Sequence, residues 1–452
     1  MYLTINIKLC SLLLSNMKSG IHNKKDLTKD LLYNFTIKRR YCMEKFDVGI
    51  IGGGPAGFST ALYELALGKS VVLFEKDYLG GTCLNKGCIP TKAFLHIADK
   101  YSEILEMSKL GICCENIKLD FSKVIEYKNN IVSKLRKGLE ISLKGVNIVN
   151  SEATVVSQDT VHSNNKDYKC SEIIIATGSK PKEIKGLEYD HEFILSSDDV
   201  LNMTELPKSI LIVGSGAIGV EWSRILSAFG VQVSVTELAD RLCPLADWEV
   251  SKRIERQFKM KKIKIYTSTC VEKTENKKIF LSNGEILEPD CVLVAVGREP
   301  IVQKDNYGSK IIGDASSEVM LAHYAVSQAK ELVLDIKFNR NLVPSVIYGT
   351  PEIAWVGKVC KDKSDENNYK VSLFPISALG KAHCDNSIDG FIKLLVKDNT
   401  IVGASVIAPE ASSLIQQIAI AMTNKLTVDD LKKVCFAHPT YSEGIMESLM
   451  KI

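Results

Sequence analysis

The chain has 452 residues, 45% of them hydrophobic and 25% charged, which is ordinary composition for several globular domains and excludes a largely disordered or collagen-like chain. No apolar run approaches the ~18–20 residues that cross a bilayer, so no transmembrane helix is expected. The net charge of +3 is uneven: residues 1–43 carry eight Lys/Arg against two Asp/Glu, and the rest is slightly acidic, which gives no reason to expect nucleic acid or a membrane surface as partner.

The basic, acid-poor residues 1–42 have the composition of a transit peptide. Arg39-x-Tyr41 resembles a processing site, with Cys42 or Met43 starting the mature chain. A mitochondrial matrix address is expected. The alternatives are a plastid-type organelle, a secretory signal, and an artefactual leader with Met43 as the true start, which would fit a bacterial cytoplasm. The 13 cysteines are odd in number and irregularly spaced, which argues for a reducing compartment in which one pair is special.

Phe46 to Ile51 reads as a buried strand running into Gly52-Gly53-Gly54-Pro55-Ala56-Gly57, with a helical pattern next and a second strand ending at Glu75. In such a loop Gly52 makes the turn, Gly54 lets the backbone approach a pyrophosphate, Gly57 lets helix and strand pack, and Glu75 takes a ribose hydroxyl. The pattern recurs as Ser209 to Val213, then Gly214-Ser215-Gly216-Ala217-Ile218-Gly219, then a strand ending at Glu237. An acid there favours NAD; Arg241 is the reason to keep NADP as an alternative. Two such units imply two cofactors, and hydride transfer between them points to FAD and NAD.

Between the units lies Gly80-Gly81-Thr82-Cys83-Leu84-Asn85-Lys86-Gly87-Cys88-Ile89-Pro90-Thr91-Lys92. Cα atoms five apart in a regular helix are about 8.7 Å apart, whereas a disulfide needs at most ~6.8 Å. If Cys83 and Cys88 pair, the segment must therefore be distorted, and Gly87 and Pro90 permit that. The alternatives are a metal site, for which no second ligand pair is found, and two structural thiols.

This motif resembles the active site of the FAD-dependent pyridine nucleotide-disulfide oxidoreductases. Leu84-Asn85 and Ile89-Pro90 are more similar to the dihydrolipoamide-oxidising members than to the glutathione-reducing ones; Lys86, where an apolar residue is common, is a mild departure. The resemblance covers residues 43–452. It implies an α/β fold of two Rossmann-like dinucleotide-binding domains plus a C-terminal α+β dimerisation domain. The expected boundaries are 43–180 for the first part of the FAD domain, 181–296 for NAD, 297–340 for a shortened second FAD part and 341–452 for dimerisation. By the same resemblance Cys88 faces the flavin, Cys83 exchanges with substrate, and Lys92 lies near the flavin, paired with Glu221. Gly81, Thr82, Thr177, Gly178, Asp314 and Ala322 join the FAD set, and Gly297 the NAD set. His323 is read as a packed helix residue.

Only 16 positions separate Arg298 from Asp314, fewer than the resemblance implies, so a strand leading back into the FAD domain is expected to be missing. Dropping one would expose a neighbour's edge. Further on, residues 345–348, 355–357, 390–396 and 401–407 read as an antiparallel sheet, and 411–424 and 427–434 as helices. Near the end, Pro439 holds His438 extended. The resemblance makes His438 of the partner subunit the base for the substrate thiol and Glu443 its orienter; Thr440-x-x-Glu443 also reads as a capping box. A second His that relatives place two positions earlier is here Phe436. The implied activity is oxidation of dihydrolipoamide on lipoyl domains of 2-oxo acid dehydrogenase complexes by a homodimer. A glutathione-type reductase and a flavin-poor inactive homologue are the alternatives.

Overall fold

A computed structural model describes residues 43–302 and 306–452; the expected leader lies outside them. The first strand, β1 (Glu44–Ile51), feeds α1 (Pro55–Ala66) and β2 (Val71–Phe74). Pro55 sits in the first turn of α1, where its missing N–H costs nothing. Three helices follow: α2 (Gly81–Lys86), α3 (Cys88–Glu106) and α4 (Phe121–Ser142). The chain returns through β3 (Asn147–Val149), β4 (Ala153–Ser157), β5 (Thr160–Ser163) and β6 (Lys166–Ile175). These strands order as β3-β2-β1-β6-β5-β4. The β3-β2-β1-β6 part is parallel and the β6-β5-β4 part antiparallel. Ile50, Val72, Leu73 and Ile174 are fully buried, as a parallel sheet covered on both faces requires.

A crossover strand β7 (Ser179–Pro181) leads to β8 (Ile194–Leu195) and the short α5 (Ser197–Val200). The second unit follows: β9 (Ser209–Val213), α6 (Ala217–Ala228), β10 (Gln232–Thr236), α7 (Trp248–Met260) and β11 (Lys264–Tyr266). After a meander of β12 (Val271–Glu275), β13 (Lys278–Leu281) and β14 (Ile286–Leu287), β15 (Cys291–Val294) completes a parallel sheet ordered β11-β10-β9-β15-β8. The two units share a core in which Phe94 of α3 packs 5.6 Å from Trp222 of α6.

The return crossover, β16 (Arg298–Pro300), pairs antiparallel with β7. The strand expected to be missing is present in short form: β17 (Lys310–Ile311) pairs parallel with Ile174 and Ile175 of β6. Lys310 also pairs with Glu172 of β6 at 2.6 Å, which places charge at this edge. From β17 the chain enters α8 (Ala322–Leu334), which packs on α1.

The C-terminal unit is an antiparallel sheet ordered β18-β19-β22-β21-β20. Its strands are β18 (Ser345–Ile347), β19 (Glu352–Gly357), β20 (Lys370–Pro375), β21 (Phe391–Lys397) and β22 (Thr400–Ala408), with α9 (Gly380–Cys384) between β20 and β21. The helices α10 (Ala411–Thr423), α11 (Val428–Leu431) and α12 (Glu443–Met450) close the chain. Sequence patterning finds four of these strands but not β20. The expected 427–434 helix is shorter because it forms only the turn that Thr427 and Asp430 cap reciprocally.

A buried ionic cluster ties this unit to the second sheet. Lys393, on β21 and 1% exposed, donates to both oxygens of Asp247 (2.8 and 2.9 Å) and to Glu366 (2.8 Å). Asp247 caps α7 through Glu249 N and also accepts from Cys360 N, while Glu366 accepts from Trp248 Nε1.

Candidate active site

The cysteine segment is broken where the spacing argument requires. Gly80 adopts a left-handed φ of 97° and opens α2; Gly87 (φ −155°, ψ −109°) ends it, and α3 starts afresh at Cys88. The break brings the two sulfurs into hydrogen-bonding contact, with both cysteines as free thiols. The Cys88 thiol is drawn down to about 7, first because Cys83 donates to its thiolate and then because of the Lys92 ammonium; burial and Glu221 oppose this. The start of α3 adds the positive end of a helix dipole. Cys83, the donor, is pushed far above the ordinary thiol range. One sulfur is thus a thiolate near neutrality and the other stays protonated.

Lys92, one turn into α3, bridges both oxygens of Glu221 at 3.0 and 2.9 Å. Glu221 is buried on α6, and Tyr348 N donates to it at 2.9 Å. The Tyr348 ring lies 4.5 Å from Lys92 Nζ, within cation–π range. The bridge therefore joins all three units beside Cys88.

The glycine loops test whether dinucleotides fit. A Cβ on Gly52 would lie 2.2 Å from Ala176 O, on Gly57 1.8 Å from Gly52 O, on Gly214 2.6 Å from Ala295 O and on Gly219 2.0 Å from Gly214 O. Those four glycines are required by the protein's own packing. The middle glycines are not: a Cβ on Gly216 would meet nothing within 4 Å, and on Gly54 only Gly81 Cα at 3.8 Å. Each leaves an open cradle at a helix N-terminus, which is what a pyrophosphate needs. Glu75 accepts from Gly53 N (2.7 Å) and Asp77 N (2.8 Å), and Glu237 from Ser215 N (2.9 Å) and Ala239 N (2.9 Å), so each acid pins its loop. Arg241 donates to Lys361 O (2.7 Å) and Pro244 O (3.0 Å), which commits its guanidinium away from a 2′-phosphate. Both cradles fit dinucleotides, and the second suits NAD.

Near the first cradle, Asp314 accepts from Ser179 Oγ at 2.6 Å, and Arg298 donates to the same hydroxyl at 2.8 Å and reaches Thr82 at 3.5 Å. A Cβ on Gly313 would lie 2.9 Å from that of Ala56, so the Asp314 turn sits on α1. Thr177 donates to Ile301 O at 2.6 Å and Gly178 O accepts from Ile301 N at 2.9 Å, which sutures the two crossovers. Gly297 has φ 106° beside them, and Ala322 is the first residue of α8.

At the C-terminus, His438 is an exposed side chain, 77% accessible, whose Nδ1 meets Glu443 Oε1 at 2.8 Å. Glu443 lies below the ordinary carboxylate range because Thr440 N donates to it, as does His438. Only half of the capping box forms, the bond from Thr440 N to Glu443 Oε2 at 2.8 Å. Thr440 Oγ1 donates to Ala437 O instead, and α12 begins only at Glu443, with Ser442 as its N-cap.

The sequence matches two family descriptions: Pyridine nucleotide-disulphide oxidoreductase over residues 46–319, and its dimerisation domain over residues 343–449. The chain belongs to the pyridine nucleotide-disulphide oxidoreductase family. It is similar to dihydrolipoyl dehydrogenase of Mycoplasma genitalium, 33% identical over 90% of this chain and 98% of that one. It is also similar to the mitochondrial dihydrolipoyl dehydrogenase of Dictyostelium discoideum, 31% identical over 91% and 95%. Its fold is that of LpdA from Mycobacterium tuberculosis, with a TM-score of 0.81 at 21% identity over 90% and 99% of the chains.

In this oxidoreductase the structure brings Cys83, Cys88, Lys92 and Glu221 into one contact network. His438 and Glu443 form a separate pair. His323 is exposed rather than packed, and its Nε2 donates to Pro344 O at 2.9 Å. Sequence reasoning missed Tyr348 and gave Arg298 no role. The aromatic ending an otherwise aliphatic strand is the one local signal for Tyr348. No described helix is long and apolar enough to cross a membrane.

Proposed function

We propose that this chain works as a homodimeric flavoprotein that oxidises protein-bound dihydrolipoamide with NAD as acceptor. Residues 43–180 and 297–340 would hold FAD, 181–296 NAD, and 341–452 would form the dimer. The observation that carries this reading is the thiol pair with split acidity at the break between α2 and α3, beside the Lys92–Glu221 bridge and between two dinucleotide cradles.

His438 of the partner subunit takes a proton from one substrate thiol, and that sulfur attacks Cys83 Sγ of the Cys83–Cys88 disulfide. The S–S bond breaks and Cys88 leaves as a thiolate, its charge balanced by Lys92 and the start of α3. His438 releases that first proton to solvent and takes the proton of the second substrate thiol, whose sulfur attacks the substrate sulfur bound to Cys83; this second proton is the one that passes to Cys83. The lipoamide disulfide closes, and Cys83 departs and recovers a proton. Two electrons have then moved from substrate to the cysteine pair. The site needs a base near neutrality because thiolate is the reacting species. When bound, FAD supplies the two-electron acceptor that restores the disulfide and hands the electrons on to NAD. Gly52, Gly54, Gly57, Glu75, Gly81, Thr82, Thr177, Gly178, Asp314 and Ala322 would hold FAD, and Gly214, Gly216, Gly219, Glu237 and Gly297 NAD.

Lipoyl domains of 2-oxo acid dehydrogenase complexes are the partners this chemistry calls for. The basic composition of residues 1–42 supports delivery to the mitochondrial matrix. The test compares turnover of dihydrolipoamide plus NAD with that of glutathione disulfide plus NADPH, on protein whose flavin absorbance has been recorded. Faster turnover of the first pair is expected. Preference for the second, or protein without flavin, would overturn the reading.

A further inference from the structure

The helix that carries Cys83 is only six residues long. A helix this short has no stability of its own, so its position is set by what grips it. Asn85, two residues past Cys83, turns its amide nitrogen toward two carbonyls of the preceding loop, Tyr78 O (3.3 Å) and Leu79 O (3.0 Å), and toward Gly81 O (2.9 Å) at the start of α2. Its Oδ1 accepts from both Nε (3.1 Å) and Nη2 (2.7 Å) of Arg136 on α4. The same guanidinium stacks 3.8 Å from the centre of the Tyr78 ring.

This arrangement has a definite polarity. A guanidinium can only donate, so Arg136 fixes the oxygen end of the amide toward α4. The amide hydrogens must then face the loop carbonyls. Arg136 and Asn85 together clamp the loop before α2 onto α2 itself, and α4 supplies the fixed wall. The other outer tie of α2, Lys86 with Asp77 at 2.7 Å, is between side chains more than 40% exposed and contributes little.

We propose that Arg136, acting through Asn85, is a positioning residue for the redox pair: it holds α2 where the Cys83 thiol meets the Cys88 sulfur. The proposal rests on the reading of Cys83 and Cys88 as the reacting pair. The groups that face Cys88 are Cys83 from α2, Lys92 from α3 and Glu221 from α6, with Arg298 of β16 and Tyr348 after β18 close enough to feel its charge. Of these, Cys83 alone rides on α2. Loosening the clamp therefore removes the donor that does most to favour the thiolate, and leaves the other groups in place.

The test is the pH dependence of the long-wavelength thiolate–flavin absorbance of the anaerobically two-electron-reduced, flavin-loaded protein. The wild type is expected to show a midpoint at about 7. Arg136→Ala is expected to raise it by about one unit, which is roughly tenfold less thiolate at a pH well below both midpoints. Arg136→Met keeps the stem on the Tyr78 ring and serves where the alanine variant does not fold. Arg136→Lys keeps the charge but replaces two-pronged donation with one, so it recovers the midpoint only in part. An unmoved midpoint in folded Arg136→Ala or Arg136→Met overturns the clamp, and full recovery by lysine assigns the effect to charge and overturns it too. A wild-type midpoint near the ordinary ~8.5 would instead sink the underlying reading of the pair.

Discussion

Replacing Lys393 by methionine isolates the worth of the buried cluster between the second sheet and the C-terminal unit. Methionine matches the stem but leaves Asp247 and Glu366 without the ammonium that both contact at 2.8–2.9 Å. Breaking a fully buried pair from one side costs about 3–5 kcal/mol. Here Glu249 N, Cys360 N, Trp248 Nε1 and Lys363 still bind the two carboxylates, so the cost falls at the lower end, about 3 kcal/mol. At ~2–4 °C per kcal/mol for a large domain, the melting temperature of the flavin-loaded protein falls by roughly 6–12 °C. The sign of the pH dependence follows from Glu366. Burial pushes it up, but Lys363, Lys393 and Trp248 outweigh burial and hold it below the ordinary carboxylate value. The stability it confers is present above the unfolded pKa and is lost as pH falls through the folded one. Without Lys393, Glu366 protonates more readily, so the gap between wild type and variant narrows as pH drops from 7 toward the carboxylate range. Scanning calorimetry across pH measures this. A variant melting within 1–2 °C of wild type at pH 7, or a gap that widens in acid, would refute the reasoning.

The glycine loops separate packing from ligand approach. Gly57→Ala places a Cβ 1.8 Å from Gly52 O, so the variant is expected to purify without flavin colour. Gly216→Ala meets no protein atom within 4 Å; it should melt like wild type yet raise the KM for NAD by about tenfold, near 1.4 kcal/mol. His438→Gln should lower kcat for dihydrolipoamide oxidation by about 10²–10⁴ while leaving flavin binding intact. Glu443→Gln should cost less, because Thr440 N still holds the side chain beside His438.

The parts of this chain that were legible in its sequence are those whose cause is local. Gly52 and Gly214 have φ of 107° and 100° and lie against backbone carbonyls, so glycine is written into the chain at those positions. Gly87 shows where a helix must break for Cys83 to reach Cys88. What was not legible depends on partners distant in sequence. Arg241 looks free to take a phosphate until Lys361 O, 120 residues away, is seen to bind it. Strand β17 is two residues long and has no periodicity to read. Strand β20 reverses the usual polarity: Ser372 faces inward while Leu373 is 46% exposed, so alternation misleads there. Lys393 looks like a polar outward position on β21, yet it is buried because two carboxylates from elsewhere meet it.

The division of labour between the two sulfurs is tested most directly by the long-wavelength absorbance that a thiolate beside oxidised flavin produces. Anaerobic wild-type protein should develop it on two-electron reduction by dihydrolipoamide. Cys83→Ser should show it without substrate and lose it as pH falls through the Cys88 midpoint, and Cys88→Ser should never show it. A band that persists in Cys88→Ser would contradict the assignment of Cys88 as the thiolate that meets the flavin.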